Sequence, residues 1–149
     1  MTSTDPPAVP TSVELMDQLA RAAAGYYRSF STVAAARGLT LMQGKMLSLL
    51  RRPMPMRTLA DLLACDASNV TGIVDRLEAQ GLVRREVDPA DRRIKRVTLT
   101  GDGERTVHEI RAELLTTLSG LDELPDRDRR TLHRLLGHLY PAGPGAADD

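Results

Sequence analysis

The sequence predicts a mainly helical fold with one small β-hairpin. Apolar residues recur at helical spacing over most of the 149 residues. Residues 84–100, RREVDPADRRIKRVTLT, instead favour two strands around a turn, because Asp88-Pro89 starts a turn and Val97-Thr98-Leu99-Thr100 favours a strand. Hydrophobic residues make up 42% of the chain, which is typical of a globular domain rather than a disordered one.

The two ends of the chain are expected to be tails. Residues 1–10 contain three prolines and are predicted to be disordered, and residues 141–149, rich in Pro, Gly, Ala and Asp, are predicted to fray. Residues 11–140 between them are long enough for a single domain with its own core.

Two helices are predicted before the centre of the chain. The first runs from about 12 to 36, is capped by Thr11 or Ser12 and ends before Gly38. The second runs from about 40 to 51 and begins with a capping box of Thr40 and Gln43. Pro53 and Pro55 then interrupt the chain. The first helix has a candidate apolar stripe of Met16, Leu19, Ala23, Tyr26 or Tyr27, Phe30 and Val33.

A helix-turn-helix pattern follows. Residues 58–65, TLADLLAC, have helical spacing, and Thr58 with Asp61 resembles a loose capping box. The segment 66–69, DASN, is rich in residues that cap a new helix, and Gly81 ends that helix. Val70, Ile73, Val74 and Leu77 form its predicted buried stripe, and the opposite face carries Ser68, Asn69, Thr71, Gly72, Asp75 and Arg76.

This division of faces is typical of a helix that reads DNA. Asn can pair with adenine and Arg with guanine, and a glycine lets the backbone approach the duplex. Gly72 costs roughly 1 kcal/mol of helix propensity relative to Ala, so its presence asks for a reason. The alternative is an amphipathic helix whose polar face is only solvated.

The hairpin after this helix is strongly basic. Guanidinium groups on such a hairpin bind phosphates or enter a narrow minor groove, although a merely solvated hairpin is the alternative. A helix pair followed directly by a basic hairpin indicates a winged helix-turn-helix domain at residues 57–100. The hairpin's cations are Arg84, Arg85, Arg92, Arg93, Lys95 and Arg96.

Two more helices are predicted after the wing, one from 101 to about Leu121 and one from Pro125 to about Tyr140. The helices at 12–36 and 101–140 carry more apolar surface than one small core requires, so we expect them to form a homodimer. Packing on their own domain in a monomer is the alternative. A two-fold dimer would bind an inverted repeat with half-sites about 10 bp apart.

Charge and cysteine content limit the class of protein. The formal net charge is zero, but residues 51–96 hold ten Lys/Arg and seven Asp/Glu, so the excess positive charge coincides with the predicted winged helix. A single Cys excludes an intramolecular disulfide framework. We see no secretory signal and no run of apolar residues that could span a membrane, and therefore expect a cytoplasmic protein.

The sequence does not predict an enzyme, a metal site or a cofactor. His108-Glu109 begins like an HExxH zinc motif, but Ala112 stands where the second histidine is needed. Phosphate-binding loops of the GxxxxGK[ST] type and GxSxG nucleophile elbows do not occur. A winged helix that binds proteins is the better rival, although such a module has no need for so many wing arginines.

The order of elements and three segments resemble the MarR family of winged-helix transcription regulators. The segments are LTLMQ at 39–43, LADLLACDASNVTGIVDRLEAQGLV at 59–83 and DPADRRIKRVTLTGDG at 88–103, and the resemblance covers about residues 12–140. It implies a homodimer, a recognition helix in the major groove and a wing arginine, Arg93, in the minor groove. It also implies that Asp91 orients a nearby arginine, that the protein represses transcription, and that a small phenolic or lipophilic effector releases the DNA.

Two further expectations concern ligands and oxidants. Tyr26, Tyr27, Arg28 and Phe30 could line an effector cleft against the second and fifth helices, although core or interface packing is the alternative. Some proteins of the resembled family sense oxidants through a cysteine in the first helix, which this chain lacks. A redox-responsive repressor would have to use Cys65, which is otherwise expected to be a small buried hydrophobe.

Overall fold

The computed structural model describes residues 8–118 and 120–139. The chain forms two compact units, Met1–Arg111 and Ala112–Asp149. The predicted tail segments 1–7 and 141–149, and Tyr140, lie outside the described residues. The elements are α1 (Ser12–Ala35), α2 (Leu41–Leu49), β1 (Met54–Pro55), α3 (Met56–Leu63), α4 (Ala67–Ala79), β2 (Val83–Val87), β3 (Lys95–Leu99), α5 (Gly101–Thr117), α6 (Gly120–Glu123) and α7 (Asp126–Leu139).

The mainly helical fold with a small β wing is confirmed, and so are most of the predicted helix starts. Both α1 and α2 begin with complete capping boxes: Thr11 pairs with Glu14, and Thr40 pairs with Gln43. The capping box predicted for Thr58 and Asp61 is wrong. Helix α3 begins at Met56 after Pro55, with no side-chain cap, so Thr58 lies inside the helix.

The sheet has one strand more than the sequence predicted. Strands β2 and β3 form the expected antiparallel hairpin, with Val83 opposite Leu99 and Val87 opposite Lys95. Strand β1 is added on the outer side of β3, where Met54 pairs with Val97. A strand of two residues that contains a proline has no pattern of its own, and the sequence therefore gave no sign of it.

The core of the first unit is built around α4. Its buried residues face α3 and α2, and β2 also packs against it. Phe30, Val33 and Ala34 at the end of α1 are buried, whereas Met16 near its start is 61% exposed. The predicted stripe of α1 is thus covered only over its last turns. The core side chains of α4 are Val70, Ile73, Val74 and Leu77.

In the second unit, the segment after α5 differs from the single helix predicted up to Leu121. Helix α5 ends at Thr117, and the hydroxyls of Thr116 and Thr117 both donate to the carbonyl oxygen of Glu113, at 2.7 and 3.1 Å. Such bonds back to the preceding turn compete with the helix. Helix α7 has no buried residue, and its four leucines are exposed.

Candidate nucleic-acid interface

Helix α4 starts at a side-chain cap, Asp66. Asp66 Oδ1 accepts hydrogen bonds from the Asn69 backbone N–H at 2.8 Å and from the Ser68 hydroxyl at 2.7 Å. The Asn69 N–H, followed by the Ser68 hydroxyl, lowers the pKa of Asp66 below its usual value, because both donate to the ionised carboxylate. The cap fixes the first turn of α4, where a recognition helix meets base edges.

One edge of α4 presents polar groups that have no partner among the described residues. Asn69 and Arg76 are both exposed, and seven residues correspond to nearly two helical turns, so they lie on the same side. Within the part of the chain that the structure describes, the side chains of both lack a hydrogen bond or ion pair. Gly72 lies between them, and nothing stands within 4 Å of the position that a Cβ would take there. Packing within the chain therefore does not require this glycine.

Two of the predicted base-reading hydroxyls make local bonds. Ser68 donates to Asp66, and Thr71 donates to the Ala67 carbonyl oxygen at 2.9 Å. Each hydroxyl can still accept a hydrogen bond from a base, but its donor is used. Asn69 and Arg76 are therefore better equipped than Ser68 and Thr71 to donate to a base edge.

Arg85 occupies a different environment from the other wing cations. It lies opposite Val97 in the hairpin, in line with buried Val83, so its side chain faces α4. Its guanidinium pairs with the carboxylates of Asp75 and Glu78, and only 22% of its side chain is exposed. Partial burial alone would lower its pKa, but the hydrogen bond to Asp75 and the two negative charges raise it. Arg85 therefore ties the recognition helix to the first strand of the wing.

Backbone hydrogen bonds to carboxylates shape the tip of the wing. Asp88 Oδ1 accepts from the Ala90 N–H at 2.7 Å and from the Asp91 N–H at 3.3 Å, and these bonds, together with the charge of Arg96, lower the pKa of Asp88. Asp91 Oδ1 accepts from the Arg93 N–H at 2.9 Å. Asp91 thus holds the backbone of Arg93 at the tip, rather than pairing with an arginine side chain.

The remaining cations of the wing fall into two groups. Arg84 pairs with Glu86 at 2.7 Å and Arg96 with Asp88 at 3.3 Å. Arg92, Arg93 and Lys95 are exposed, and none of the described carboxylates lies within ion-pair distance of them. The tip of the wing therefore carries positive charge that no described carboxylate neutralises.

The predicted effector residues are only partly brought together. The Tyr26 ring lies 5.3 Å from the Tyr27 ring and 5.9 Å from the Phe30 ring, and Lys45 Nζ stands 4.8 Å from the Tyr27 centroid. Desolvation, followed by the neighbouring Tyr27, raises the pKa of the Tyr26 phenol. Arg28 is exposed and makes no contact with these rings.

An open cavity of about 330 Å³ lies elsewhere in the first unit, between α2, the end of β3 and α5. Its walls include Leu50, Arg51, His108 and Arg111, and it contains none of the residues predicted for the effector cleft.

Cys65 is half-buried, and its thiol lies 3.4 Å from the Leu63 carbonyl oxygen. In the described ranges, no three His, Cys, Asp or Glu side chains lie where they could hold a metal ion. No helix among the described residues is long and apolar enough to cross a membrane.

Two curated relatives match parts of the chain. YsmB of Bacillus subtilis (strain 168), an uncharacterised HTH-type transcriptional regulator, is 46% identical over 48 residues, which are 32% of each chain. BadR of Rhodopseudomonas palustris, a transcriptional activatory protein, is 35% identical over 92 residues, which are 58% of this chain and 52% of BadR. The chain thus spans between about a third and a half of the length of these relatives.

Two solved structures are similar over most of their length. CouR from Rhodococcus jostii RHA1, solved with p-coumaroyl-CoA, has a TM-score of 0.73 at 24% identity and covers 91% of this chain and 98% of its own. NadR in complex with 4-hydroxyphenylacetate has a TM-score of 0.70 at 26% identity, and the match covers 91% of this chain and 97% of NadR. The MarR family model matches residues 39–95. These residues, which hold the helix-turn-helix and most of the wing, therefore match the MarR family, and the chain has the winged-helix fold.

Proposed function

We propose that this protein is a transcription regulator that binds double-stranded DNA in a sequence-specific manner. The proposal depends on one observation: several exposed polar side chains on α4 and the wing make no hydrogen bond or ion pair with other described residues. The formal net charge of the chain is zero. The outer edge of α4 and the tip of the adjacent wing nevertheless present polar side chains that have no partner within residues 8–118 and 120–139, namely Asn69, Arg76, Arg92, Arg93 and Lys95. Exposed, unpaired cations beside an amide on a helix edge suit phosphates and base edges.

Each group has a distinct role in this proposal. Asn69 and Arg76 read bases in the major groove, assisted by Ser68 and Thr71 as acceptors, and Gly72 allows the backbone of α4 to approach the duplex. Arg93 enters the minor groove, and the turn that Asp88 and Asp91 hold sets its position. The phosphate contacts come from the other wing cations, Arg84, Arg92, Lys95 and Arg96.

The sequence also predicts that Arg85 contacts phosphates. We propose a different role for it, because its guanidinium already binds two carboxylates. Arg85 holds α4 against β2, and so acts on DNA binding through the position of the recognition helix.

We further propose that the protein acts as a homodimer on an inverted repeat. Val13, Leu15 and Met16 on α1 are 58–62% exposed, and α7 exposes four leucines. Exposed apolar faces on long helices are typical of interfaces between copies of a chain. Two recognition helices related by a two-fold axis would bind half-sites about 10 bp apart.

The sense of regulation depends on where the operator lies relative to the promoter. Repression, which the family resemblance implies, requires an operator that overlaps the promoter, whereas BadR is named as an activator. A reporter gene placed downstream of an operator selected from random DNA distinguishes repression from activation. Repression predicts higher expression of the reporter when the gene for this protein is deleted.

We also propose that a small phenolic effector binds this protein. NadR, at 26% identity, was solved with 4-hydroxyphenylacetate, and the exposed rings of Tyr26 and Tyr27 offer aromatic surface to a small phenolic ligand of that kind. Binding would favour a dimer with the wrong spacing of its two recognition helices and release the DNA. A panel of phenolic acids that neither raises the melting temperature nor weakens DNA binding would exclude this class of effector.

Selection of bound duplexes from a random pool tests the main proposal. We expect an enriched palindrome whose affinity falls steeply with salt concentration, because phosphate contacts release counterions. A protein-interaction module would enrich no sequence, and failure to retain any duplex at low ionic strength would overturn the proposal.

A further inference from the structure

The junction between α4 and α5 is held by one threonine hydroxyl. Thr100 Oγ1 donates to the Gly81 carbonyl oxygen at 2.6 Å and accepts from the Gly103 N–H at 3.1 Å. Gly81 is the left-handed residue that terminates α4, with a φ of +72°. Gly103 lies in the first turn of α5. A single hydroxyl therefore uses its donor on the end of the recognition helix and its acceptor on the start of the next helix.

Backbone contacts reinforce the same junction. The Thr100 N–H donates to the Leu82 carbonyl oxygen at 3.1 Å, next to the pair of Val83 and Leu99 at the base of the hairpin. A Cβ on Gly103 would lie 2.0 Å from the Leu82 carbonyl oxygen, closer than any side chain allows. The first turn of α5 is thus pressed against the backbone that follows α4, and only glycine fits there.

The junction is a contact that the wing itself does not make. Residues 80–100 separate α4 from α5 along the chain, yet the hydroxyl of Thr100 bonds the residue that ends α4 and the first turn of α5. It therefore holds the end of α4 at a second point, besides the attachment of α4 to β2 through Arg85.

We infer that Thr100 is a positioning residue for the recognition helix. Its hydroxyl fixes the C-terminal end of α4 on the start of α5, and this sets the angle at which Asn69 and Arg76 meet the bases. The inference rests on the proposed DNA binding and adds a determinant of sequence-specific affinity that makes no contact with DNA.

The test compares Thr100→Val with Thr100→Ser and Thr106→Val in the full-length protein. Val has nearly the shape of Thr without its hydroxyl, and Ser restores the hydroxyl without the methyl group. Thr106 provides a matched control, because its hydroxyl bonds only the Asp102 carbonyl oxygen within α5, at 2.9 Å. Affinity is measured for the selected palindrome and for a scrambled duplex, at a temperature where circular dichroism shows every variant folded.

We expect Thr100→Val to weaken binding to the palindrome by about tenfold, the change that corresponds to about 1.4 kcal/mol. Binding to the scrambled duplex should stay unchanged, because phosphate contacts tolerate a small change in helix angle. Thr100→Ser should recover most of the affinity, and Thr106→Val should match the wild type.

Equal losses on both duplexes, or a Thr100→Val protein that binds like Thr106→Val, would overturn the inference. Failure of the proposed function is distinguishable, since the wild-type protein itself would then show no preference for the palindrome.

Discussion

At the scale of single residues, a side chain can donate to a base only if its hydrogen-bond donors are not already used within the protein. Ser68, Asn69, Thr71 and Arg76 all lie on the polar side of α4, but local hydrogen bonds use the donors of the two hydroxyl groups. The amide and the guanidinium keep all of their donors. We therefore expect sequence choice to depend chiefly on Asn69 and Arg76.

Asn69→Ala should reduce affinity for the selected operator by about 1–3 kcal/mol and leave binding to random DNA nearly unchanged. Gln80→Ala is the control, since it removes an exposed amide at the other end of α4. Titration of each variant on both duplexes measures the difference, and equal losses on the two would remove Asn69 from the base-reading set.

Arg93→Ala should weaken operator binding and reduce the preference for A·T pairs at the outer positions of the site, because a narrow A·T-rich minor groove attracts an arginine. Arg105→Ala is the control: this exposed arginine lies on α5 and pairs with Asp102. Repeating the selection with both variants tests the expectation. An unchanged affinity and base preference after Arg93→Ala would rule out the minor-groove role.

At the scale of elements, local signals in the sequence predicted much of the site. Thr40, Asp66 and Gly81 are cap residues whose chemistry acts within a few positions, and the structure uses each of them as the sequence suggested. The alternation of the hairpin could also have shown that Arg85, two residues after Val83, faces inward. Its acidic partners on α4 could not be predicted, because they depend on tertiary packing between the strand and the helix.

Gly72→Ala should separate stability from function. An alanine at this open helical position should raise the free energy of unfolding by roughly 1 kcal/mol, yet weaken operator binding because its methyl group meets the duplex. Gly137→Ala on α7, where a Cβ is equally free of contacts, should raise stability without the loss of affinity. Denaturant unfolding and DNA titration provide the two readouts, and an unaltered affinity would mean that α4 stays farther from the DNA.

Arg85→Met should loosen the attachment of β2 to α4. We expect faster amide hydrogen exchange in both elements and weaker operator binding, although position 85 makes no proposed contact with DNA. Arg84→Met is the control for the exchange measurement, because Arg84 lies on the opposite side of the same strand and bonds Glu86 and the Leu99 carbonyl oxygen rather than α4. Unchanged hydrogen exchange in α4 after Arg85→Met would show that the ion pairs of Arg85 do not hold α4 against β2.

At the scale of the whole molecule, the sequence predicted the order of helices and the hairpin, but not which apolar faces the chain covers by itself. The same helical spacing describes buried Phe30 and exposed Met16 on α1. Periodicity reports that a face is apolar and does not report its partner. The leucines of α7 and the apolar residues at the start of α1 follow the helical spacing but stay exposed to solvent in a single copy of the chain.

Leu135→Glu on α7 should convert the proposed dimer into a monomer and abolish tight binding to the palindrome, because a charge replaces an apolar side chain that is 46% exposed in one copy. Leu62→Glu is the control for the oligomeric state, since Leu62 on α3 is exposed to a similar degree, 53%, outside the terminal helices. Sedimentation at micromolar concentration measures the change, and a wild-type protein that sediments as a monomer would contradict the dimer.

The tie at Arg85 also has an electrostatic consequence for a protein that approaches a polyanion. Asp75 and Glu78 place two carboxylates on the very helix that is proposed to enter the groove, where phosphates would repel them. The guanidinium of Arg85 neutralises both carboxylates within the protein. No cation from solution is therefore needed between α4 and the phosphates when the protein binds DNA. The acidic side chains of α4 can in this way stay close to the duplex at little energetic cost.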